Sequence, residues 1–595
     1  MLGPVFNREA SVVPKRTATY LTRGLYLLAL LVLLCTGYLV LDGSRSLGAS
    51  SDAAKFGGWM FRLLAPLQLV VLTAFAAVGA ASSVAQEKDR RTLILLLLTR
   101  LSGFELVAGK TAATMLSPLS LWLVSLPLFL TLPLLGGVAP QQVLAVFAVT
   151  LVSIVLSATV GTVIGLWREK TFQAIALTVL TLLLIVAFGE MIAAIAANSA
   201  GQLVATAMSP ARALESATNA SGSWLSWIAS GAGAFVIAGT IGSGALMALG
   251  VAKVRVWNPS REVRVKATDA ETSDELAASS TATGPASWKV RQPRRVWNNP
   301  ILWREIRTWA YGRKVLLIRA VFMLIFMILA GAVWFQIQSG DAFEAAGRFG
   351  RAIPAVTIPM AVLGVISLVL INALSVNSVT GERDGLALDL LLVTDLRPSE
   401  FVFGKWIGVL YVAKEMILLP MALIVLLGVK GVMTYENMVY ALVGAIALTL
   451  FVTMLGIHSG LNFVSGRTAT LASLGTVFFL CVGIAICMTI MVSFRGAFQL
   501  QLAPFLVMIL GGGAALFAAL GWRNPSSAMF AASFALPLIT FYAITQFLLQ
   551  TDHLLVVFAL VIGYGFTTAA MMIPALSEFD VSLEVDRSGS ASTST

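Results

Sequence analysis

Apolar runs of about 20 residues recur along the whole of this 595-residue chain, and no other feature restricts its fold as much. A helix needs about 20 apolar residues to cross a hydrocarbon core of roughly 30 Å, about twice what a membrane strand needs. The run lengths therefore argue against a β-barrel and predict an all-α, polytopic helical membrane protein. Charged residues make up 12% of the chain and hydrophobic ones 58%, too little polarity for a water-soluble surface.

Six spans are predicted in the first half, near Gly24–Leu41, Met60–Val84, Thr111–Leu135, Val143–Trp167, Phe172–Ala197 and Trp224–Ala252. Eight follow, near Val315–Ile337, Pro354–Ser378, Trp406–Val429, Met438–Asn462, Ala469–Ser493, Leu502–Leu520, Met529–Leu549 and Leu554–Pro574. The net charge of +11 is concentrated in alternate loops. Lys15, Arg16 and Arg23 precede the first span, Lys88, Arg90, Arg91 and Arg100 follow the second, Arg168 and Lys170 the fourth, and Lys253, Arg255 and Arg261 the sixth. Basic loops on one side fix membrane orientation, so the bilayer and not nucleic acid is the expected partner of this charge. The expected location is the cell (inner, cytoplasmic) membrane, multi-pass, with the N-terminus cytoplasmic. Met1–Arg23 is too polar for a secretory signal, and no small-residue cleavage site follows, so the first span is expected to remain. Cys35, Cys481 and Cys487 lie inside predicted spans, with the spacing of neither a metal site nor a disulfide framework.

Shifted by 295 residues, the chain overlies itself. Glu87-Lys88-Asp89-Arg90-Arg91-Thr92 falls on Glu382-Arg383-Asp384-Gly385-Leu386-Ala387, and the register continues without a gap to pair Glu105 with Glu400, Gly109 with Gly404 and Lys110 with Lys405. A shift of 296 pairs Arg8 and Glu9 with Arg304 and Glu305 ahead of the first span of each half. Six spans separate the copies, an even number, so the repeats are expected to be parallel. The expected organisation is a first permease-like repeat over 1–257, a flexible cytoplasmic linker over 258–295, a second repeat over 296–521, two extra C-terminal membrane helices over 522–577 and a disordered tail over 578–595. Each repeat then holds about six transmembrane helices.

The paired loops start where the second and eighth spans end and run acidic, basic, acidic into a leucine-rich stretch, the outline of a membrane-surface helix. Ser102-x-x-Glu105 matches a capping box opening the third span, and the second copy places Pro398 in the corresponding first turn. Here the sequence resembles the ABC transporter type-2 permease family, whose loop typically reads Gly-Glu-Lys-Glu-Arg-Gly-Thr-Leu-Glu-Leu-Leu-Leu, then Thr-Pro-Leu-Ser and Gly-Lys. Gly381-Glu382-Arg383-Asp384-Gly385 with Leu388-Asp389-Leu390-Leu391-Leu392 is the nearer match. The first copy departs at Gln86, Arg91 and Ile94, and Arg100 or Asp395 replaces the proline.

The resemblance implies the membrane subunit of an exporter with no bound cofactor, its ATP and Mg held by separate cytoplasmic ABC ATPase subunits. It implies a coupling helix in each half, with Glu87, Lys88, Asp89, Arg90, Arg91, Thr92, Glu105 and Lys110 in one copy. In the other the positions are Glu382, Arg383, Asp384, Gly385, Glu400 and Lys405. It also implies surface helices at Pro4–Arg23 and Pro300–Lys314 carrying Arg8, Glu9, Arg304 and Glu305, and short outer helices within Asn198–Ser223.

The residues themselves offer no ATP site: Gly103 to Gly109-Lys110-Thr111 has five residues between its glycines where a phosphate loop needs four. No catalytic residue and no metal site is expected, since His458 and His553 form no metal motif. His458, near Gly456 and Gly460, reads as a polar helix contact. Gly161-x-x-x-Gly165 predicts close helix packing in the fourth span. Glu190, Lys414 and Glu415 are the ionisable groups expected at membrane depth; either they line a polar path or they pair structurally. Two other classes fit the same chain. An ion-coupled secondary transporter needs buried carboxylates or broken helices in matching places of both halves, and Glu190 matches no acid at Ala485 or Ile486. A non-transporting scaffold working with an ABC ATPase is the third.

Overall fold

The computed structural model describes residues 3–15, 17–44, 50–90, 92–196, 198–220, 226–258, 297–307, 315–340, 354–384, 391, 396–463, 465–493, 502–521, 525–548 and 553–592. Helices supply the regular structure, and no strand is present among the described residues. In the first half these are α1 (Gly3–Val12), α2 (Thr17–Ser44), α3 (Ser50–Asp89), α4 (Thr92–Leu97), α5 (Gly103–Leu135), α6 (Pro140–Trp167), α7 (Thr171–Ile195), α8 (Ser199–Met208), α9 (Pro210–Thr218) and α10 (Gly231–Trp257). The second half has α11 (Pro300–Arg307), α12 (Val315–Ser339), α13 (Thr357–Asp384), α14 (Pro398–Val412), α15 (Lys414–Val429), α16 (Tyr435–Asn462), α17 (Gly466–Ser493), α18 (Leu502–Leu520), α19 (Ser527–Leu548) and α20 (His553–Ser592).

Twelve of these helices are long and apolar enough to span a membrane, and the bent pair α14 and α15 makes a thirteenth. The all-α polytopic reading therefore holds, with two differences. The apolar stretch expected at Leu502–Leu520 forms α18, a helix of 19 residues. The expected span Trp406–Val429 begins at Pro398 and bends by 57° at Ala413. Arg319 Nη2 donates to Val412 O at 3.0 Å and its Nε sits 2.8 Å from Glu415 Oε2, so a side chain from α12 occupies a carbonyl beside the break. Finally, α20 continues to Ser592 through the stretch expected to be disordered. The linker from 259 onward lies outside the described residues.

Close helix packing recurs at the 295-residue offset. A Cβ on Gly161 would stand 2.7 Å from Ala77 O and 3.1 Å from Ala80 Cβ, and one on Gly165 would meet Val84 Cβ at 3.0 Å, so α6 presses against α3 as its glycine spacing predicts. In the second half a Cβ on Gly456 would stand 3.0 Å from Asn372 O and 2.5 Å from Ser375 Cβ, and one on Gly460 would stand 3.0 Å from Val379 Cβ. Each of these second-half positions is its first-half counterpart plus 295. Valine at Gly161 or Gly456 is expected to cost about 1–3 kcal/mol through overpacking. Gly444→Val is the control, because a Cβ there meets nothing within 4 Å. Thermal unfolding in detergent checks the difference.

Apolar packing also joins the halves. One buried cluster unites Leu30, Phe61 and Phe129 with Ile490, Met491 and Phe505; another unites Ile175 and Leu180 of α7 with Ile318, Phe322 and Leu370. Leu21, Leu28, Phe335, Met327 and Phe558 are exposed along the spans, as lipid-facing side chains must be.

Candidate functional site

The basic loops of the first half gather at one end of the bundle. Lys88 Nζ donates to Leu166 O and, at 2.9 Å, to Arg168 O, and Asp89 Oδ2 accepts from Thr171 Oγ1 at 2.6 Å. Lys88 thus satisfies carbonyls that the C-terminus of α6 leaves unpaired. Arg383 does the same for α16, donating from Nη1 to Gly460 O at 2.9 Å. Arg168 stacks over Trp167 at 3.3 Å; burial lowers its pKa and Glu169 raises it in part.

In the second half α11 lies across α14. Asn299 caps it by accepting from Leu302 N at 2.9 Å and donates from Nδ2 to Glu400 O at 2.8 Å. The approach depends on two glycines of α14: a Cβ on Gly404 would meet Ile301 Cβ at 3.0 Å, and one on Gly408 would meet Glu305 Cβ at 2.7 Å. Between them Lys405 Nζ donates to Glu305 Oε1 at 2.6 Å and to Glu382 Oε1 at 2.5 Å. Arg304 Nη2 also donates to Glu382 and lies 3.4 Å from Glu305 Oε1. The Lys405 and Glu305 side chains are each 1% exposed. Two cations and two anions therefore form a charge-balanced quartet binding α11, α13 and α14, fully buried at Lys405 and Glu305 and partly exposed at Arg304 and Glu382.

The first half carries the simpler form. Lys110 of α5, largely buried, pairs with Glu87 at the end of α3. Arg8 pairs with Glu9 at 2.7 Å and stays exposed. α1 crosses the start of α5, where a Cβ on Gly3 would meet Glu105 Cβ at 3.0 Å. The Ser102 box is formed: Glu105 Oε2 accepts from Ser102 N at 3.0 Å while Ser102 Oγ accepts from Glu105 N at 3.2 Å. Pro398 opens α14, and Glu400 Oε2 accepts from Arg397 N at 3.2 Å.

Between α3 and α5, α4 buries Leu93 and leaves Leu95 65% exposed, and Leu98 just past its end is 73% exposed. Thr92 Oγ1 donates to Glu87 O at 3.2 Å, tying α4 to the end of α3. Arg91 and Gly385 lie outside the described residues, as does the second-half loop apart from Leu391. A polar contact also joins the halves: Arg90 Nη2 stands 3.8 Å from Asp384 Oδ1.

The ionisable groups expected at membrane depth take structural partners. Glu190 accepts from Arg212 Nε at 2.9 Å and Nη2 at 2.7 Å and from Ser209 Oγ at 3.1 Å, joining α7 to α9 at a partly exposed position. Glu415 pairs with Arg319, and Lys414 Nζ lies 4.8 Å from the Tyr411 ring. These groups do not share one path: Glu190 belongs to the α7–α9 corner and the other two to the α14–α15 break. His458, 1% exposed, lies 3.0 Å from Leu520 O.

Sequence reasoning named Lys405, Glu382 and Glu305 but not that they meet, and it passed over Arg319, Arg212, Asn299 and Gly408. Glycines at 404 and 408 were a legible signal for a crossing helix. Comparison of the chain with protein-family models and with curated proteins finds no match.

Proposed function

We propose that this chain is the membrane permease subunit of an ABC-2-type transporter, an exporter in which two permease units are fused and separate ATPase subunits supply ATP hydrolysis. The observation that carries the reading is the brace common to both halves, Lys110 to Glu87 and Lys405 to Glu382, each joining residues 23 apart at matched positions. It ties the end of one span to the start of the next around a surface loop. Force applied to that loop then reaches two spans together instead of being lost in a hinge.

Glu87 and Glu382 turn inward to lysine in this arrangement, so they act as braces, and Leu95 and Leu98 supply the face offered to an ATPase. An ion-coupled carrier is the weaker reading, because the helix break at Ala413 has no partner in α5, which runs unbroken from Gly103 to Leu135. The full chain purified from native membranes should bring an ABC ATPase with it and hydrolyse ATP, and reconstituted vesicles should move cargo only with ATP. Flux driven by an ion gradient without ATP refutes the assignment. Recruitment with no flux favours a scaffold.

A further inference from the structure

On the side of the first half where α10 lies against α6, an open groove of about 640 Å³ runs along the helices. Thr240, Gly244, Ala248 and Ala252 form its wall at every fourth position of α10, with Val155 and Thr159 of α6 opposite and Phe104 at one end. From Thr240 to Ala252 is about 18 Å at 1.5 Å per residue. That is close to one leaflet, half of a hydrocarbon core of roughly 30 Å. Ile237 and Ile241 beside it are 53% and 67% exposed, so the groove opens toward lipid.

Its wall makes no polar demand. Thr159 Oγ1 donates to Val155 O, Thr240 Oγ1 to Val236 O, both at 2.8 Å, and Ser243 Oγ to Gly239 O at 2.7 Å. Each hydroxyl is satisfied by its own helix, leaving a surface suited to hydrocarbon. Gly244 gives the groove its depth, since a Cβ built there meets nothing within 4 Å.

The Phe104 end is basic. Arg255 Nη2 donates to Leu101 O at 3.3 Å, which places it beside the loop leading to Phe104. Arg100, before that loop, is exposed. The nearby acid Glu105 is held by Ser102 and lies against Gly3 of α1.

We propose that this groove binds one anionic glycerophospholipid, an acyl chain lying along Gly244 and Ala248 and its phosphate headgroup meeting Arg100 and Arg255. An apolar slot one leaflet long that ends in two arginines complements such a lipid in both parts, and the lipid is therefore the occupant the charges favour.

Native mass spectrometry of the full chain in detergent tests this with phosphatidylglycerol and phosphatidylcholine of equal chain length. One phosphatidylglycerol should be retained per chain, preferred over phosphatidylcholine by about tenfold or more, given the attraction of basic residues to anionic lipid. Gly244→Leu should abolish retention of both lipids while thermal unfolding stays unchanged, because the leucine fills open space. Arg100→Ala and Arg255→Ala together should erase the headgroup preference and leave phosphatidylcholine binding as it was. Unchanged retention in Gly244→Leu, or no headgroup preference in the native chain, overturns the proposal. So does a native dimer that Gly244→Leu turns into monomer without loss of lipid.

Discussion

Replacing Lys405 by methionine is expected to destabilise the protein by about 3–5 kcal/mol, the cost of leaving buried charge without its partner. Lys405 holds Glu305 Oε1 and Glu382 Oε1 at 2.6 and 2.5 Å, and only Arg304 would remain to face two carboxylates. Because the loss arises from uncompensated charge, Glu305→Gln in the same background should recover part of it, which is the signature of coupled neighbours. Lys110→Met should cost less, since Glu87 is 32% exposed and water can take over its solvation. Unfolding midpoints of the three variants and the native chain, measured in one detergent, decide the matter. Equal stability of Lys405→Met and the native chain would remove the quartet as the element that binds α11 to the bundle.

Converting Leu95 and Leu98 together to aspartate should reduce ATPase co-purification by about 30-fold or more, the effect of losing an interface anchor worth about 2 kcal/mol. Stability should move by no more than about 0.5 kcal/mol, because both side chains are mostly exposed and carry no packing. Leu93→Asp is the contrasting variant. Leu93 is 1% exposed and packs in the cluster with Val84, Leu106, Leu166 and Val254, so its replacement should lower stability directly. If the Leu95 and Leu98 variant binds the ATPase as well as the native chain, α4 is not the docking face. Binding lost only together with stability would instead mark α4 as a packing element.

The sequence located these charges and leucines without revealing what they face. The family resemblance implied that Glu87 and Glu382 face an ATPase. Their lysines come 23 residues later, beyond any helical i,i+4 relation that a sequence pattern can show. Glu190 and Glu415 stood out as ionisable groups in apolar stretches, yet each is answered by an arginine that the span pattern gave no reason to single out. The capping box at Ser102 was fully legible because all its partners lie within one turn.

The sequence alone determined the helical class and most of the spans, since span length is a local match between an apolar run and the thickness of a bilayer. It also determined that α6 packs closely through Gly161 and Gly165, because absent side chains permit nothing bulkier between backbones. The tertiary structure decided where α14 ends and α15 begins. No glycine or proline stands at Ala413, and the carbonyl beside the break is taken by Arg319, 93 residues earlier in the chain. It likewise decided which charges are buried: removing Lys405 from water is tolerable only where Glu305 and Glu382, 100 and 23 residues away, arrive at the same point.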